Sequence, residues 1–285
     1  MTVSAGKPTP SLGTGARSLR VADGLVLRHR IWQADSERAR MRVVHGLGEH
    51  GGRYEHLADA LAARGVSVLV PDLRGHGVSE GRRGHVHRFD DYLRDLEELR
   101  SESPGSGPEI LFGHSLGGLI ALRAVQTRRA GDPIALVLSA PALDLPPTRP
   151  ASLDALASVL SRVAPALPLP NGIDPADLSH DAEEVTAYRA DPLVHDRITP
   201  RLYTEMRAAM RAAARDAAKV EIPVLLLLPL QDRVVSSRAT REVARGFRGS
   251  SKIVEYPESF HEPLHERRRE EVIREIADWI EEQLA

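Results

Sequence analysis

The chain of 285 residues is long enough for one large α/β domain, and its composition (42% hydrophobic, 27% charged) is ordinary for a globular protein. Its formal net charge of −2 and the lack of a long basic block argue against nucleic acid as a main partner. Cysteine is absent, which excludes disulfides, thiolate metal sites and a cysteine nucleophile.

We expect neither a membrane span nor a signal peptide. No apolar run approaches the ~18–20 residues of a membrane span, and residues 1–16 lack the apolar core of a signal peptide. Residues 1–17 are rich in Gly, Pro, Ser and Thr and are predicted to form a flexible tail. We therefore expect a cytoplasmic protein, and peripheral association with a membrane stays open.

The first half of the folded part alternates predicted strands and helices. Residues 18–21 and 25–32 flank an Asp-Gly turn and predict a hairpin. Continuous apolar runs, typical of buried parallel strands, then alternate with amphipathic helices. The predicted strands are 41–44, 66–70, 109–112 and 134–139, and the predicted helices are 54–64, 89–100 and 116–129.

The composition changes after Pro141. Residues 142–219 are rich in Pro, Leu and Ala, and helical spacing there predicts helices over 153–163 and 199–219. Strands at 224–228 and 252–256, with helices at 237–247 and 267–284, then restore the α/β alternation. We therefore predict a core of residues 18–141 and 220–285, with residues 142–219 inserted as a helical cap above a mostly parallel sheet.

A G-x-S-x-G pattern occupies residues 113–117, between the predicted strand 109–112 and the helix that follows it. A serine on such a tight strand-to-helix turn has a strained backbone and an exposed hydroxyl, and glycines are needed on both sides to avoid collisions. The following helix points its free N–H groups at the same place, which favours a developing oxyanion. The alternative is a glycine-rich turn that contains Ser115 by chance.

Two further residues fit a nucleophilic mechanism. A serine nucleophile needs a base to accept its proton and a carboxylate to orient that base. Asp232 and His261 follow two later predicted strands, and sites in parallel sheets form at the carboxyl ends of strands. We therefore expect Ser115, Asp232 and His261 to converge, although each alone could be an ordinary loop or capping residue.

The sequence His261-Glu262-Pro263-Leu264-His265 also matches the H-E-x-x-H zinc motif. That motif binds zinc when both histidines lie on one helix face. Pro263 usually marks the first turn of a helix, which would leave His261 outside it. We therefore predict no metal site, and His265 remains a rival for the base.

Several of these segments together resemble one known family. Residues 45–54, 72–81 and 113–118, with the loops that carry Asp232 and His261, are similar to α/β-hydrolases of the monoacylglycerol lipase group, which overlaps bacterial lysophospholipases. The resemblance extends from about residue 18 to the C-terminus, the cap included. One departure is Pro229, where the family usually has glycine, and it makes the geometry of the Asp232 loop less certain.

The resemblance implies a role for each matching residue. Ser115 is the nucleophile, His261 the general base and Asp232 the residue that orients it. The oxyanion hole is formed by the backbone N–H groups of Leu47 and Leu116. Three polar residues match positions near the glycerol end of the family's pocket: Glu49, Arg53 and Tyr188. For Glu49 and Arg53, a role in bracing the loop through hydrogen bonds is at least as plausible.

The expected function is hydrolysis of monoacylglycerols through an acyl-enzyme, without a cofactor. A lysophospholipase, a general carboxylesterase and a non-catalytic binding module of the same fold are the alternatives. The expected partner is a small lipid ester, with transient contact to a membrane or micelle through the cap. The apolar residues of the first cap helix would either be buried or form an exposed lip at an acyl tunnel: Leu153, Leu156, Ala157, Val159 and Leu160.

Overall fold

The computed structural model describes residues 16–146 and 152–285. Nearly all of the predicted N-terminal tail, residues 1–17, therefore lies outside the described residues. None of the helices within the described ranges is both long and apolar enough to span a membrane.

An eight-stranded sheet forms the centre of the protein, with the strand order β1-β2-β4-β3-β5-β6-β9-β10. The strands, with β7 and β8 forming a separate two-stranded ribbon, are β1 (Arg17–Arg20), β2 (Val26–Trp32), β3 (Ala39–Val44), β4 (Val66–Asp72), β5 (Glu109–His114), β6 (Ala135–Ser139), β7 (Leu169–Pro170), β8 (Arg197–Ile198), β9 (Val224–Pro229) and β10 (Ser251–Tyr256). The predicted hairpin is confirmed by the antiparallel pairing of β1 with β2. From β4 to β10 all neighbouring strands are parallel, so the predicted sheet type is also confirmed.

Helices cover both faces of this sheet. In chain order, the α-helices of the described residues are α1 (Glu55–Ala62), α2 (Asp90–Glu98), α3 (Leu116–Gln126), α4 (Ser152–Val163), α5 (Ala182–Ala190), α6 (Pro200–Arg215), α7 (Ser237–Ala244) and α8 (Arg269–Leu284). The apolar sides of α1 and α8 pack on one face, and α2, α3, α6 and α7 contribute to the core on the other. This double covering explains why β4, β5, β6 and β9 are buried along their whole length.

The segment between β6 and β9 contains α4, α5, α6 and the β7–β8 ribbon, in which Leu169 pairs with Ile198. None of its described residues joins the main sheet. The predicted helix 199–219 is wrong at its C-terminal end, since α6 stops at Arg215 and a 3-10 turn follows at Ala217–Lys219. Helix α5 was not predicted because it buries just one side chain, Tyr188, and so lacks an apolar stripe.

Helix α4 carries its apolar residues on the surface. Leu153, Leu156, Val159 and Val163 are 41%, 55%, 56% and 74% exposed. Burial of the predicted stripe is therefore wrong for most of its large side chains, which are exposed, while a role for them as a lip at an acyl tunnel stays a prediction. Leu160 and Ala157 are half-buried.

Candidate active site

Ser115 occupies the turn between the end of β5 and the start of α3, with a backbone φ of 51° and ψ of −118°. A non-glycine residue is strained at such a φ, which the surrounding structure must impose. Side chains at the flanking glycines would not fit: a Cβ at Gly113 would collide with the Gly117 carbonyl, and one at Gly117 with the Val44 carbonyl. The turn therefore has the geometry that the G-x-S-x-G pattern predicts.

The structure brings the three predicted side chains together. His261 Nε2 lies 3.0 Å from Ser115 Oγ, and His261 Nδ1 lies 2.8 Å from Asp232 Oδ2. The other oxygen of Asp232 accepts hydrogen bonds from the N–H groups of Val234 and Val235 at 2.7 Å and 2.9 Å, which hold the carboxylate in place. Asp232 therefore fixes the proton on Nδ1 and leaves Nε2 free to accept the serine proton.

The environment of His261 favours its protonated form. Burial alone would lower the pKa of the imidazole, but the charge and hydrogen bond of Asp232 outweigh burial and raise that pKa. The neighbouring imidazole of His114, whose ring centre is 4.9 Å away, behaves oppositely, because burial lowers the pKa of His114 to about 4. The site therefore combines one basic histidine with one that stays neutral.

A cavity of about 270 Å³ opens beside Ser115. Leu47 and Leu116, the two residues predicted to supply oxyanion-hole N–H groups, both line it with Ser115. Within the described ranges, neither N–H donates to a backbone carbonyl outside its own helix or strand. Polar side chains line one part of the wall: Asn171, Asp174, Asp177 and Arg233. Apolar side chains line much of the remainder: Ala142, Leu145, Ile198, Met206, Val234 and Val235.

Glu49 holds the loop that carries Leu47 through hydrogen bonds. Its Oε1 accepts hydrogen bonds from the Gly46 N–H and from the Tyr54 hydroxyl, the latter at 2.8 Å. Its Oε2 accepts from Arg53 Nη1 at 2.8 Å. Burial favours the neutral acid, but the charge of Arg53 outweighs it and lowers the pKa of Glu49 to about 2. Glu49 is therefore an ionised brace for this loop.

The predicted glycerol-end residues Glu49, Arg53 and Tyr188 lie next to one another but do not line the cavity. The guanidinium of Arg53 stacks over the Tyr188 ring, 4.8 Å from its centre. It also donates two hydrogen bonds to the Glu262 carboxylate, at 2.8 Å and 2.7 Å. Contact of these residues with a substrate stays a prediction. Glu262 is the partner that the sequence did not reveal, since no pattern links positions 53 and 262.

The H-E-x-x-H segment does not present its histidines on one helix face. Pro263–His265 is a single 3-10 turn with the proline in its first position, and His261 precedes it. His265 Nε2 lies 3.0 Å from the Arg53 carbonyl oxygen, whereas His261 Nε2 faces Ser115. Over residues 16–146 and 152–285, no group of three or more potential ligands is placed to hold a metal ion. His265, the rival base, is directed away from the serine.

The departure at Pro229 leaves the acid loop in position. The proline is the last residue of β9, and the Leu230 N–H that follows donates to the Tyr256 carbonyl at 3.0 Å. The Ser237 hydroxyl donates to the Pro229 carbonyl at 2.6 Å. These contacts fix both sides of the turn, so Asp232 still reaches His261.

The chain is similar to several known hydrolases. A family model described as "Serine aminopeptidase, S33" matches residues 35–268. The monoacylglycerol lipase of Mycolicibacterium smegmatis is 32% identical over 263 residues, which are 90% of this chain and 93% of that protein. A crystal structure of monoacylglycerol lipase from Paleococcus ferrophilus matches with a TM-score of 0.84 and 36% identity, covering 90% of this chain and 99% of that one. An uncharacterized abhydrolase domain-containing protein of Dictyostelium discoideum is 29% identical over 249 residues, and the chain spans 26% of its length.

The sheet order, the serine turn and these matches define the class of the protein, an α/β-hydrolase. The chain belongs to the serine aminopeptidase S33 family and, within it, is a hydrolase of the lipase and esterase type.

Proposed function

We propose that the protein is a serine ester hydrolase that cleaves monoacylglycerols to fatty acid and glycerol. The observation that carries the proposal is the hydrogen-bonded series Ser115–His261–Asp232 at the edge of a partly apolar cavity. The names of the relatives support the choice of a monoacylglycerol among single-chain esters.

The reaction would proceed through an acyl-enzyme. Ser115 Oγ attacks the ester carbonyl while His261 Nε2 accepts its proton, and the N–H groups of Leu47 and Leu116 stabilise the oxyanion. Collapse of the intermediate expels glycerol, which takes the proton from His261. Water, deprotonated by His261, then attacks the acyl-enzyme and releases the fatty acid. Asp232 stabilises the imidazolium in both steps, and no cofactor enters.

A substrate panel tests this proposal. It should contain a monoacylglycerol, a diacylglycerol, a lysophospholipid and a short p-nitrophenyl ester, each followed at equal acyl concentration. The highest kcat/KM is expected for the monoacylglycerol. Preference for the lysophospholipid or for the short ester would assign the enzyme to those substrates instead. A chain that neither hydrolyses any of them nor reacts with a fluorophosphonate probe would be a binding module.

Asp232→Asn should lower kcat by about 10⁴-fold without unfolding the protein, because the imidazole loses its orienting anion and adopts the wrong tautomer. The amide oxygen can still accept from the Val234 and Val235 N–H groups, so the turn should keep its shape. Steady-state kinetics on a soluble ester, with circular dichroism as the folding control, would measure the effect. An active variant would require another carboxylate beside His261.

We further propose that residues 142–219 form a cap whose helix α4 contacts lipid aggregates. Four large apolar side chains on this helix are exposed, as is Leu167 just after it at 42%. A long-chain substrate resides mostly in micelles or membranes, and apolar contacts would hold the enzyme there. Burying one leucine side chain contributes ~1.5–3 kcal/mol, so a few such contacts suffice for docking.

The double change Leu156→Ser, Val159→Ser should lower activity on micellar monoacylglycerol at least about tenfold, which corresponds to the loss of roughly one buried side chain. Hydrolysis of a soluble butyrate ester should stay near the wild-type rate. Ile253→Ser, at another partly exposed apolar position on β10, serves as the matched control and should change neither rate. Parallel loss on both substrates would contradict the docking role.

A further inference from the structure

Three charged side chains lie buried in a row beneath the active site. The Arg53 guanidinium stands between two carboxylates, 2.8 Å from Glu49 and 2.7 Å from Glu262. The side chains of Glu49, Arg53 and Glu262 are 3%, 9% and 5% exposed. Burial opposes ionisation of Glu262, but the charge of Arg53 outweighs it and holds the pKa of Glu262 well below its usual range. We call this group the Glu49–Arg53–Glu262 bridge.

The bridge joins two loops that are far apart in the sequence. At one end, Glu49 fixes the Gly46 N–H, one residue before the proposed oxyanion donor Leu47. At the other end, Glu262 directly follows His261, and the two bridge residues Arg53 and Glu262 are 209 positions apart. The planar guanidinium of Arg53, bound to a carboxylate on each side, therefore sets the distance between the loop of Leu47 and the loop of His261.

The bridge also places charge near the base. Two carboxylates and one guanidinium leave one net negative charge, and both Glu262 and Glu49 raise the pKa of His261. His265, from the 3-10 turn that follows His261, contacts the bridge residue Glu262 with its Nδ1 at 3.2 Å. The other titratable groups that face His261 are Asp232 from the loop after β9 and His114 from β5. Of these, Asp232 makes the direct contact, so the bridge adds to its effect.

Stability alone is a weak reason for such an arrangement. Buried ion pairs are often replaceable by apolar side chains without loss of stability, because desolvation offsets the attraction. A comparable pair, Arg42 with Glu109, has the same two-pronged contact at 2.7 Å and 3.1 Å and side chains 0% and 5% exposed. Glu109 begins β5, at the end of the sheet opposite the serine, so this second pair offers a control of equal chemistry without the active site.

We propose that the Glu49–Arg53–Glu262 bridge is a positioning device, which holds the oxyanion loop against the base loop and lends negative charge to the imidazolium that forms during catalysis. The inference rests on the proposed function, since the bridge would position the base and the oxyanion donor that act with Ser115 in that reaction. Arg53 and Glu262 are then positioning residues for His261 and Leu47 and need not touch the substrate.

Glu262→Gln tests the charge. The base must be neutral to accept the serine proton, so activity falls as the pH drops below the pKa of His261. Removal of the carboxylate charge lowers that pKa, and the acid limb of kcat/KM should move down by about half a pH unit or more. The kcat at the plateau should fall about tenfold or more, with KM nearly unchanged. Glu109→Gln, the matched control, should lower the melting temperature and leave the pH profile where it is.

Arg53→Lys tests the geometry and keeps the proposal open to refutation if Glu262→Gln does not fold. Lysine retains the charge but loses the fork, so kcat should fall about tenfold with the acid limb near its wild-type position. An increase in KM with kcat intact would assign Arg53 to the alcohol end of the substrate and overturn the proposal. An acid limb that does not move in folded Glu262→Gln would overturn it as well.

The wild-type enzyme is measured in the same series with a soluble ester. Its activity distinguishes a failure of the proposed function from a failure of the bridge proposal. An inactive wild type that a fluorophosphonate probe does not label would contradict the proposed function. An active wild type whose Glu262 and Arg53 variants match Glu109→Gln in rate and pH profile would contradict the bridge alone.

Discussion

Replacement of Ser115 by alanine is expected to abolish ester hydrolysis, with kcat falling by about 10⁶-fold, the cost of removing the nucleophile from a triad of this type. The change removes one oxygen and leaves the Cβ, so no new collision arises in the turn. Alanine is strained at a φ of 51° to the same degree as serine, and the fold should therefore persist.

Hydrolysis of a soluble p-nitrophenyl ester and labelling by a fluorophosphonate probe would both be measured on this variant, with circular dichroism to verify folding. Ser101→Ala is the control, because Ser101 is an exposed serine that contacts the Glu98 carbonyl away from the site. It should keep wild-type activity and labelling. Activity of Ser115→Ala within tenfold of the wild type would place the nucleophile elsewhere.

The sheet could be predicted because its central strands are buried on both faces. Strands such as β4 and β9 are apolar at most positions, a continuous pattern that is typical of strands buried on both faces. The meeting of Ser115, Asp232 and His261 follows from the same topology, since all three come after strands whose carboxyl ends share one edge of the sheet. The sequence was thus sufficient to predict which three side chains lie together.

Other features depend on tertiary contacts that a single sequence does not contain. The spacing in α4 shows which side chains share a face, but it does not tell whether another element covers that face, and most of its large apolar residues proved to be exposed. Helix α5 lacks an apolar stripe altogether. The pairing of Arg53 with Glu262 depends on the packing of two distant loops, and Glu262 was hidden within a motif that suggested zinc.

His261→Ala is expected to lower kcat nearly as much as Ser115→Ala, by about 10⁶-fold, because the serine then has no group to accept its proton. Unlike Ser115→Ala, this variant should also be less stable, by about 1–3 kcal/mol, since the buried Asp232 carboxylate loses a hydrogen-bond partner. The two N–H groups that Asp232 retains should limit that loss. Kinetics on a soluble ester and thermal unfolding would measure both effects.

His265→Ala is the natural comparison, because His265 is equally buried and belongs to the same short motif. Its ring contacts the Arg53 carbonyl and Glu262 and does not reach the serine, so the loss of activity should stay below about tenfold. A chelator such as EDTA should leave the wild-type rate unchanged, since the two histidines of the motif hydrogen-bond to different partners. Equal loss in both histidine variants, together with chelator inhibition that zinc reverses, would make the motif a metal site and refute the serine mechanism.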